Sequence, residues 1–548
     1  MPVRLQTRDS FFDPEFVMPG CLEEGTLPWL MARHDEELFP QWLFKGWKGE
    51  KPRGRSAWPA PLLMKHMILR FAESGMSRRA SERRGHTDIV WRAAMGLELG
   101  GKGPSEKRLR EFESFLRQQH PDIGVARFLV VHEHIVRLCL AAGIVGEKQT
   151  WSMDSTSMEC FGAVKDTIRL LGDGVASLAR YWSKLGRGSL IELAARWNLP
   201  HLSAKSTKGA FTINWRDQDA RAEVIDRLAR GTLAAVNEIR SSLAEVRRNK
   251  HKRLLRRCRH LLRVIAKDLD TDAQGRLVVA TRVARDRLIS LTDPQARHGR
   301  KSRKKTFNGF KTHVFGDAVS GLITALTVTP GNAHDGSVAA RLIRRAKALS
   351  TEIDEVLGDT AYGGAKLRHD VKEQLGVSIL APPPAKQNKA GGFGRDSIVL
   401  DFEKQQATCA AGVTVGNPSH VFSNTHERIT TVYSWPAATC QACSFNSSCN
   451  GQRKRGHQIR LHPHESELRQ ARADWQDEEI RRRYRDRSET ERLVNQITRH
   501  GGRTAGASGL GAANLQAHTI AMGCNLALLA RALAAREQRS KQPSLMAA

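Results

Sequence analysis

An α/β fold, with a mixed sheet flanked by helices, is what the sequence predicts, and three observations carry it. The first is a hairpin pattern: Phe310 to Phe315 and Leu322 to Val328 are β-type runs joined by the turn-rich Gly316 to Gly321. The second is an alternation of element types beyond it. A helical pattern from Val338 to Ala348 precedes a strand from Ile353 to Leu357 that leads into Asp359, and a helix from Ala365 to Leu375 precedes a strand from Val377 to Leu380. The third is a strand-like run, within Thr150 to Thr156, that ends at Asp154 and gives the sheet a further member.

Taken in order, residues 1–59 hold Trp and Pro but little periodicity and read as an irregular lead-in. Residues 60–145 turn helical. Leu62, Leu63, Met67, Ile68 and Phe71 make an apolar face that Gly75 ends. Ser77 fits an N-cap for a helix through Arg84, and Thr87 or Asp88 fits one for a helix containing Ile89, Val90 and Met95. Ser105 caps another, whose Leu109, Phe112, Phe115 and Leu116 face inward while Lys107, Arg108 and Arg110 stay outward. Short helices with small turns and outward basic residues fit a helix-turn-helix-like DNA-binding domain, and equally a plain bundle with solvated charges.

Residues 146–535 hold the sheet segments and two insertions. The insertion 160–285 is helical: Ile225, Leu228, Val236, Ile239, Leu243 and Val246 keep heptad-like spacing, as an amphipathic or coiled helix does. Its continuation from Arg247 to His260 carries eight Lys or Arg, either a solvated face or a contact for a DNA backbone. The insertion 381–460 mixes Pro, Gly, short β-like runs such as Ile429 to Tyr433, and cysteines; residues 536–548 are a tail.

Composition says what partner such a chain meets. Lys and Arg number 87 against 57 Asp and Glu over 548 residues, a net charge of +30. Charge of this size favours a polyanion, because each neutralised phosphate releases counterions. The N-terminus lacks the apolar core of a signal peptide, and the apolar stretch from Thr519 to Ala535 is broken by Asn525 and Arg531, so no membrane partner is expected. Gly501, Gly502 and the glycines from Gly506 to Gly511 lack a Lys-Ser/Thr ending, so no nucleotide cofactor is expected either. The nine cysteines do not form a disulfide framework and read as reduced, as in a cytoplasm.

Three carboxylates stand out. Asp154 and Asp359 each end a predicted strand, and sites in open α/β sheets form beyond strand carboxyl ends. Each also has a local reading, as an Asx-turn or cap former. The third, Glu491, lies on a long basic helix. At roughly 100° per residue, Tyr484, Arg487 and Glu491 share one face while Glu489 lies well round from it, so Glu491 is the preferred ligand. The competing reading is an i,i+4 pair of Arg487 with Glu491 on a solvated helix. Three carboxylates can hold two divalent ions with open positions, as cutting or joining a phosphodiester requires. Separately, Cys409, Cys440, Cys443 and Cys449 supply four thiols, either a structural Zn²⁺ site or packed reduced cysteines. The pair His132 and His134 reads as surface or helix-packing histidines.

These motifs together resemble bacterial insertion-sequence transposases of the Asp-Asp-Glu class. Asp154 in Met-Asp-Ser-Thr matches the first motif, Gly358 to Tyr362 the second, and Tyr484-x2-Arg487-x3-Glu491 the signature helix, whose expected lysine is replaced by Thr498 with Arg499 beside it. Asp293 to Arg297 and Thr329 to Asp335 look like segments of the same family. The resemblance implies an RNase H-like catalytic domain over 146–535 in which Asp154, Asp359 and Glu491 hold two Mg²⁺ (or Mn²⁺) ions. It implies double-stranded DNA as partner, both element ends and target, a homodimer on DNA with Ile225 to Val246 as a candidate contact, and a cytoplasmic, nucleoid-associated bacterial protein. Tyr484, Arg487, Arg499, Lys301, Arg303, Lys304, Lys305, Lys311 and Arg108 are the expected DNA contacts, Tyr484 being equally readable as a helical residue packing on the core. His334 and Asp335 would support the site; the competing and locally favoured reading is a turn with Asp335 as a helix N-cap. The rival readings are a basic DNA-binding protein without catalysis and an RNase H-like nuclease without strand transfer.

Overall fold

The computed structural model describes residues 11–47, 57–302, 304–349, 352–384, 393, 397–424, 428–450 and 454–541. Residues 11–47 are not irregular as expected. They form α1 (Pro14–Val17), α2 (Leu27–Arg33), α3 (Asp35–Leu38) and a 3-10 turn at Gln41–Phe44. Asp13 and Thr26 cap the first two through their side chains, and a proline opens each. Helices this short carry too few apolar repeats to register as periodicity.

Five more helices follow: α4 (Ala60–Ala72), α5 (Arg78–Thr87), α6 (Ile89–Met95), α7 (Glu106–Leu116) and α8 (Arg127–Ala141). Ser77 and Asp88 cap α5 and α6, accepting from the Ala80 and Trp91 amides at 3.2 and 3.0 Å. Ser105 stands at the start of α7 without a side-chain bond; Glu82 accepts from the Glu106 amide instead, at 2.8 Å.

The strand β1 (Trp151–Glu159) leads into α9 (Thr167–Ser183), α10 (Leu190–Arg196), α11 (Gln218–Ser241) and α12 (Arg248–Asp268), closed by the hairpin β2 (Leu269–Thr271) and β3 (Leu277–Val279). These helices enclose a core of their own, in which Ile225, Leu228, Val236 and Ile239 of α11 meet Leu171, Val175 and Leu178 of α9 and Leu254, Cys258 and Leu261 of α12. The heptad-like run is therefore spent internally. It also breaks at Ser241, since Leu243–Glu245 is a 3-10 turn, so Ile225 to Val246 is not one helix and its seam is not a free dimer contact.

The sheet resumes with β4 (Arg297–Arg300), β5 (Thr306–Asp317), β6 (Leu322–Pro330), α13 (Ala339–Lys347), β7 (Glu355–Leu357), α14 (Ala365–Leu375) and β8 (Ser378–Leu380). The order is β4-β5-β1-β7-β8, with β6 also paired to β5. Strands β1, β5 and β6 run antiparallel to their neighbours in that group, and β7 and β8 join β1 in parallel. Asp154 does not end its strand, as the sequence suggested. Pairing with β5 continues to Glu159 opposite Gly309, so Asp154 sits in mid-strand opposite Val314.

Small sheets follow, β9 (Val399–Asp401), β10 (Gln406–Thr408) and β11 (Thr414–Val415), then β12 (Ser419–Ser423), β13 (Arg428–Ser434) and β14 (Gln458–Leu461), with α15 (Ala437–Gln441) and α16 (Asn446–Asn450) between the last two. Helices α17 (Glu465–Asp474), α18 (Glu478–Arg485), α19 (Thr490–Ile497) and α20 (Leu510–Lys541) complete the chain. By length and composition α20 could cross a membrane, but 72% of its most apolar window is buried inside the protein. Leu515, Met522, Leu526 and Leu529 join the core of α4 to α8, while Ala517, Ile520 and Ala521 pack with Phe310 and Val314 of β5. The N-terminal helices thus share a core with the end of the chain.

Candidate active site

Asp154 lies on β1 and Asp359 two residues beyond the end of the neighbouring parallel strand: Ser152 of β1 registers with Leu357, the last residue of β7. Asp154 Oδ1 accepts from the Ser155 amide at 2.7 Å, and Oδ2 accepts from Arg487 Nη2 at 3.1 Å. Burial pushes the Asp154 carboxyl above its ordinary range; the Ser155 amide and Arg487 oppose this, and the charges of Asp359 and Asp335 add to it. Asp359 also has the local role its sequence allowed, capping the turn Thr360–Tyr362 by accepting from the Ala361 amide at 2.9 Å.

Asp335 joins this pair. It is not the N-cap of its turn; His334 is, through Nδ1 accepting from the Gly336 amide. The Asp335 carboxylate instead accepts from Ser155 Oγ at 3.1 Å and from Lys311 Nζ at 2.7 Å. Lys311, expected to reach DNA, is therefore turned inward, with both partners of the ion pair only 15% exposed. His313, opposite Ser155 on β5, is fully buried and pushed down to about 4 by that burial. Tyr362 is buried with its hydroxyl lacking a hydrogen-bond partner, and burial first, then Asp335, Asp154 and Asp359, raise its pKa well above the usual value. Tyr362 closed the second motif in the sequence; its hidden phenol and the Lys311 to Asp335 pair had no sequence signal, because strand register alone brings them here.

The helix carrying the third carboxylate is broken. A 3-10 turn, Asp486–Glu489, separates α18 from α19. Each 3-10 residue advances about 120° rather than 100°, so four of them carry Glu491 roughly 80° round from where a continuous helix would put it. Glu491 and Glu489 are both exposed, and Glu491 makes no side-chain hydrogen bond or ion pair among the described residues. In particular it does not pair with Arg487, which binds Asp154. Helix α19 nonetheless lies on the sheet, with Leu493 and Ile497 packed among Met158, Phe310 and Val314. Tyr484 is half-buried and packs edge-on against Trp475, ring centroids 4.9 Å apart; burial raises its pKa, and Arg487 opposes this. Arg483 pairs with Glu355 of β7, tying α18 to the strand before Asp359. Thr498 is buried and its hydroxyl donates to the Asn495 carbonyl, whereas Arg499 is exposed on the π-turn Thr498–Gly502.

Lys301, Lys304 and Lys305 are exposed in the turn between β4 and β5, closed by Lys301 donating from its amide to the Lys305 carbonyl at 2.8 Å; Arg303 lies outside the described residues. Arg108 is exposed on α7, paired with Glu111 at 2.7 Å. On α12, Arg248, Lys250, Lys252, Arg253, Arg256 and Arg259 are exposed. Asp293 is buried and caps the start of α20, accepting from the Gly509 amide at 3.0 Å and the Phe161 amide at 3.3 Å.

The four cysteines gather. Cys409, Cys440, Cys443 and Cys449 line one cavity with Trp435, Phe445 and His457. The His457 amide donates to Cys440 Sγ at 3.3 Å, and burial followed by the other three thiols raises Cys449. Among the described residues, the one group whose three potential ligand atoms lie within 4.8 Å of one another does not include these thiols. The histidines of α8 are packing residues as expected: His132 is buried against the Ile323 carbonyl and His518, and His134 bonds the Glu37 carbonyl.

No curated protein and no solved structure matches the chain. Residues 408–530 match the family model described as a transposase DDE domain, a stretch that holds the cysteines, Arg487 and Glu491 but neither aspartate. That match supports a DDE-class transposase acting on DNA, and the mixed sheet before it is compatible with an RNase H-like catalytic domain.

Proposed function

We propose that the protein is a DNA transposase that binds the inverted ends of an insertion sequence and cleaves and joins DNA strands with divalent metal. The observation that carries this is the pairing of Asp154 on the central strand with Asp359 just beyond the adjacent parallel strand, under the helices that the transposase match covers. The donor set fits hard divalent cations: three aspartates, with Asp154 raised by burial first and then by the charges of the other two, beside a buried phenol without a partner. Asp154, Asp359 and Glu491 would hold two Mg²⁺ ions, with Asp335 a further oxygen donor within the cluster. When bound, such ions activate water or a 3′-hydroxyl and stabilise the leaving oxygen.

The chain's own residues do the rest. Lys311 fixes Asp335 and, through Ser155, the strand bearing Asp154. Arg487 neutralises Asp154 and has the planar fork that suits phosphate oxygens, so binding of DNA would exchange one anion for the other. Helix α19 carries Glu491 in its first turn, directly after the 3-10 turn. Exposed lysines of the β4-β5 turn, Arg499, Arg108 and the α12 face are the backbone contacts, with the N-terminal helices as the end-binding unit and a second copy completing the paired-end complex.

The test is a labelled end fragment with target DNA, with and without Mg²⁺. Nicked and joined products should require metal and vanish in Asp154→Asn, Asp359→Asn and Glu491→Gln while DNA binding persists. Cleavage unchanged in all three would overturn the site, and cleavage without joining would identify a nuclease. Binding should weaken steeply with salt, because several phosphates are neutralised.

A further inference from the structure

A second side-chain cluster lies where the chain returns from its cysteine-bearing segment. His369 on α14 and His464, just before α17, stack with ring centroids 3.7 Å apart and 16° between their planes. Glu467, in the first turn of α17, places Oε1 2.5 Å from His369 Nδ1. Among the described residues this is the one group whose three potential ligand atoms all lie within 4.8 Å of one another. The loop ahead of α17 is held by the His464 amide donating to His462 Nδ1 at 3.0 Å.

An ion pair of His369 with Glu467 accounts for one of these contacts only. It leaves the second imidazole stacked close to the first, and it leaves Glu467 Oε2 buried without a hydrogen-bond partner. A buried carboxylate oxygen with no partner is costly unless a cation or donor meets it. Two imidazoles and one carboxylate are a donor set that first-row transition metals accept, Zn²⁺ among them, and one that Mg²⁺ does not prefer.

We propose that His369, His464 and Glu467 bind a transition-metal dication of the Zn²⁺ type, with solvent completing the coordination shell, separate from both the aspartate cluster and the cysteines. Its place in the fold gives it a structural consequence. Helix α14 follows Asp359, and α17 leads into α18, which carries Tyr484 and runs into the 3-10 turn that holds Arg487. A metal joining α14 to α17 braces the second aspartate's side of the site against the helix that leads to Arg487.

Chelator-treated full-length protein, titrated with Zn²⁺ and separately with Co²⁺ in the absence of DNA, tests this. Wild type should bind one zinc equivalent more than the His369→Gln/His464→Gln variant. Glu467→Gln should weaken that equivalent by at least the roughly 10- to 100-fold that follows loss of an outer-shell partner. Cobalt in this site should add ligand-field absorption without the sulfur-to-metal charge-transfer band that thiolates give. Equal stoichiometry in wild type and the double variant, or a lost equivalent whose cobalt spectrum shows thiolate charge transfer, overturns the proposal. If the double variant does not fold, the wild-type cobalt spectrum and the Glu467→Gln affinity decide it. The readout is metal count and spectrum, so it stands or falls apart from the cleavage assay.

Discussion

Asp154 is held by one amide and one guanidinium, yet burial and two neighbouring aspartates leave its carboxyl above the ordinary range. A carboxyl raised in the folded state contributes stability below its unfolded pKa and loses it as pH rises through the folded value. Ionising Asp154 therefore costs the folded state stability, as at many catalytic positions. Asp154→Asn should melt higher than wild type near neutral pH, by a margin that shrinks as pH falls toward the ordinary carboxylate range; a lower melting temperature at neutral pH would contradict the electrostatic account. The Lys311 to Asp335 pair makes the opposite case. Removing the ammonium in Lys311→Met leaves a half-buried carboxylate among others of its kind and should cost about 1–3 kcal/mol in urea unfolding. Lys311→Met/Asp335→Asn should cost less than the sum of its two single variants, because the pair acts as a unit; strict additivity would mean the contact carries no coupling. The two aspartates and Arg487 were legible in the sequence because each sits in a short motif whose residue types suit metal and phosphate. Lys311 was legible only as a positive charge. Its inward direction depends on the register of β5 against β1 and on where the turn after β6 places Asp335, which no local pattern contains.

Long elements with strict period were read correctly, and elements whose geometry changes midway were not. The hairpin β5-β6, the helix α14 and the apolar faces of α4 and α7 fell close to their predicted places, because each buries one periodic face. The helix bearing Arg487 and Glu491 was read as continuous, since nothing in Asp486 to Glu489 forbids an α-helix; the 3-10 turn there is a product of packing, with Arg483 tied to Glu355 on one side and Leu493 in the core on the other. The short β4 was missed because Arg297–Arg300 has no apolar alternation, and it exists by pairing to β5. That pairing and β1's meet at Gly309, whose φ of +153° and position beside Met158 leave no room for a side chain. A Cβ there would come within 2.2 Å of the Met158 carbonyl oxygen and 2.6 Å of the Cys160 nitrogen, both backbone. Gly309→Ala should destabilise the protein by on the order of 2–4 kcal/mol, strain and overpacking together, seen as a lower urea midpoint at unchanged slope. Gly364→Ala, where a Cβ meets nothing within 4 Å, is the control and should cost less than about 1 kcal/mol. Equal effects at the two glycines would show that the β1-β5 contact is looser than it looks.

Across the whole molecule the net charge was the most transparent feature, and the sharing of cores the least. Composition pointed to a polyanion without any fold, whereas the union of the N-terminal helices with α20 rests on contacts hundreds of residues apart, such as His132 with His518 at 3.1 Å between ring nitrogens. That junction has a pH consequence. His132 is pushed down from 6.5 to about 3, by burial first and then by Arg345, against a bond to the Ile323 carbonyl that works the other way. His518 is pushed well below its usual value by burial, then by His132 and Arg345. His66, under α5, is pushed to about 3 and His313, under the aspartates, to about 4, both mainly by burial. Each of these rings must stay neutral in the folded chain but can take a proton once unfolded. A folded pKa below the unfolded one means stability that is complete above the unfolded value of about 6.5 and lost as pH falls through the interval down to the folded value, at about 1.4 kcal/mol per pH unit for each ring. Buried carboxyls such as Asp154 and Asp293 respond in the opposite sense, so the clearest window lies close to the histidine range. Between about pH 7.5 and about pH 5.5 the urea midpoint should therefore fall, and the fall should be shallower in His132→Leu, which removes one titrating ring and relieves its partner. A midpoint that stays level or rises over that interval would mean that water or protons reach the junction between α8, α20 and β6 in the native state, and that the N-terminal helices open from the sheet without global unfolding.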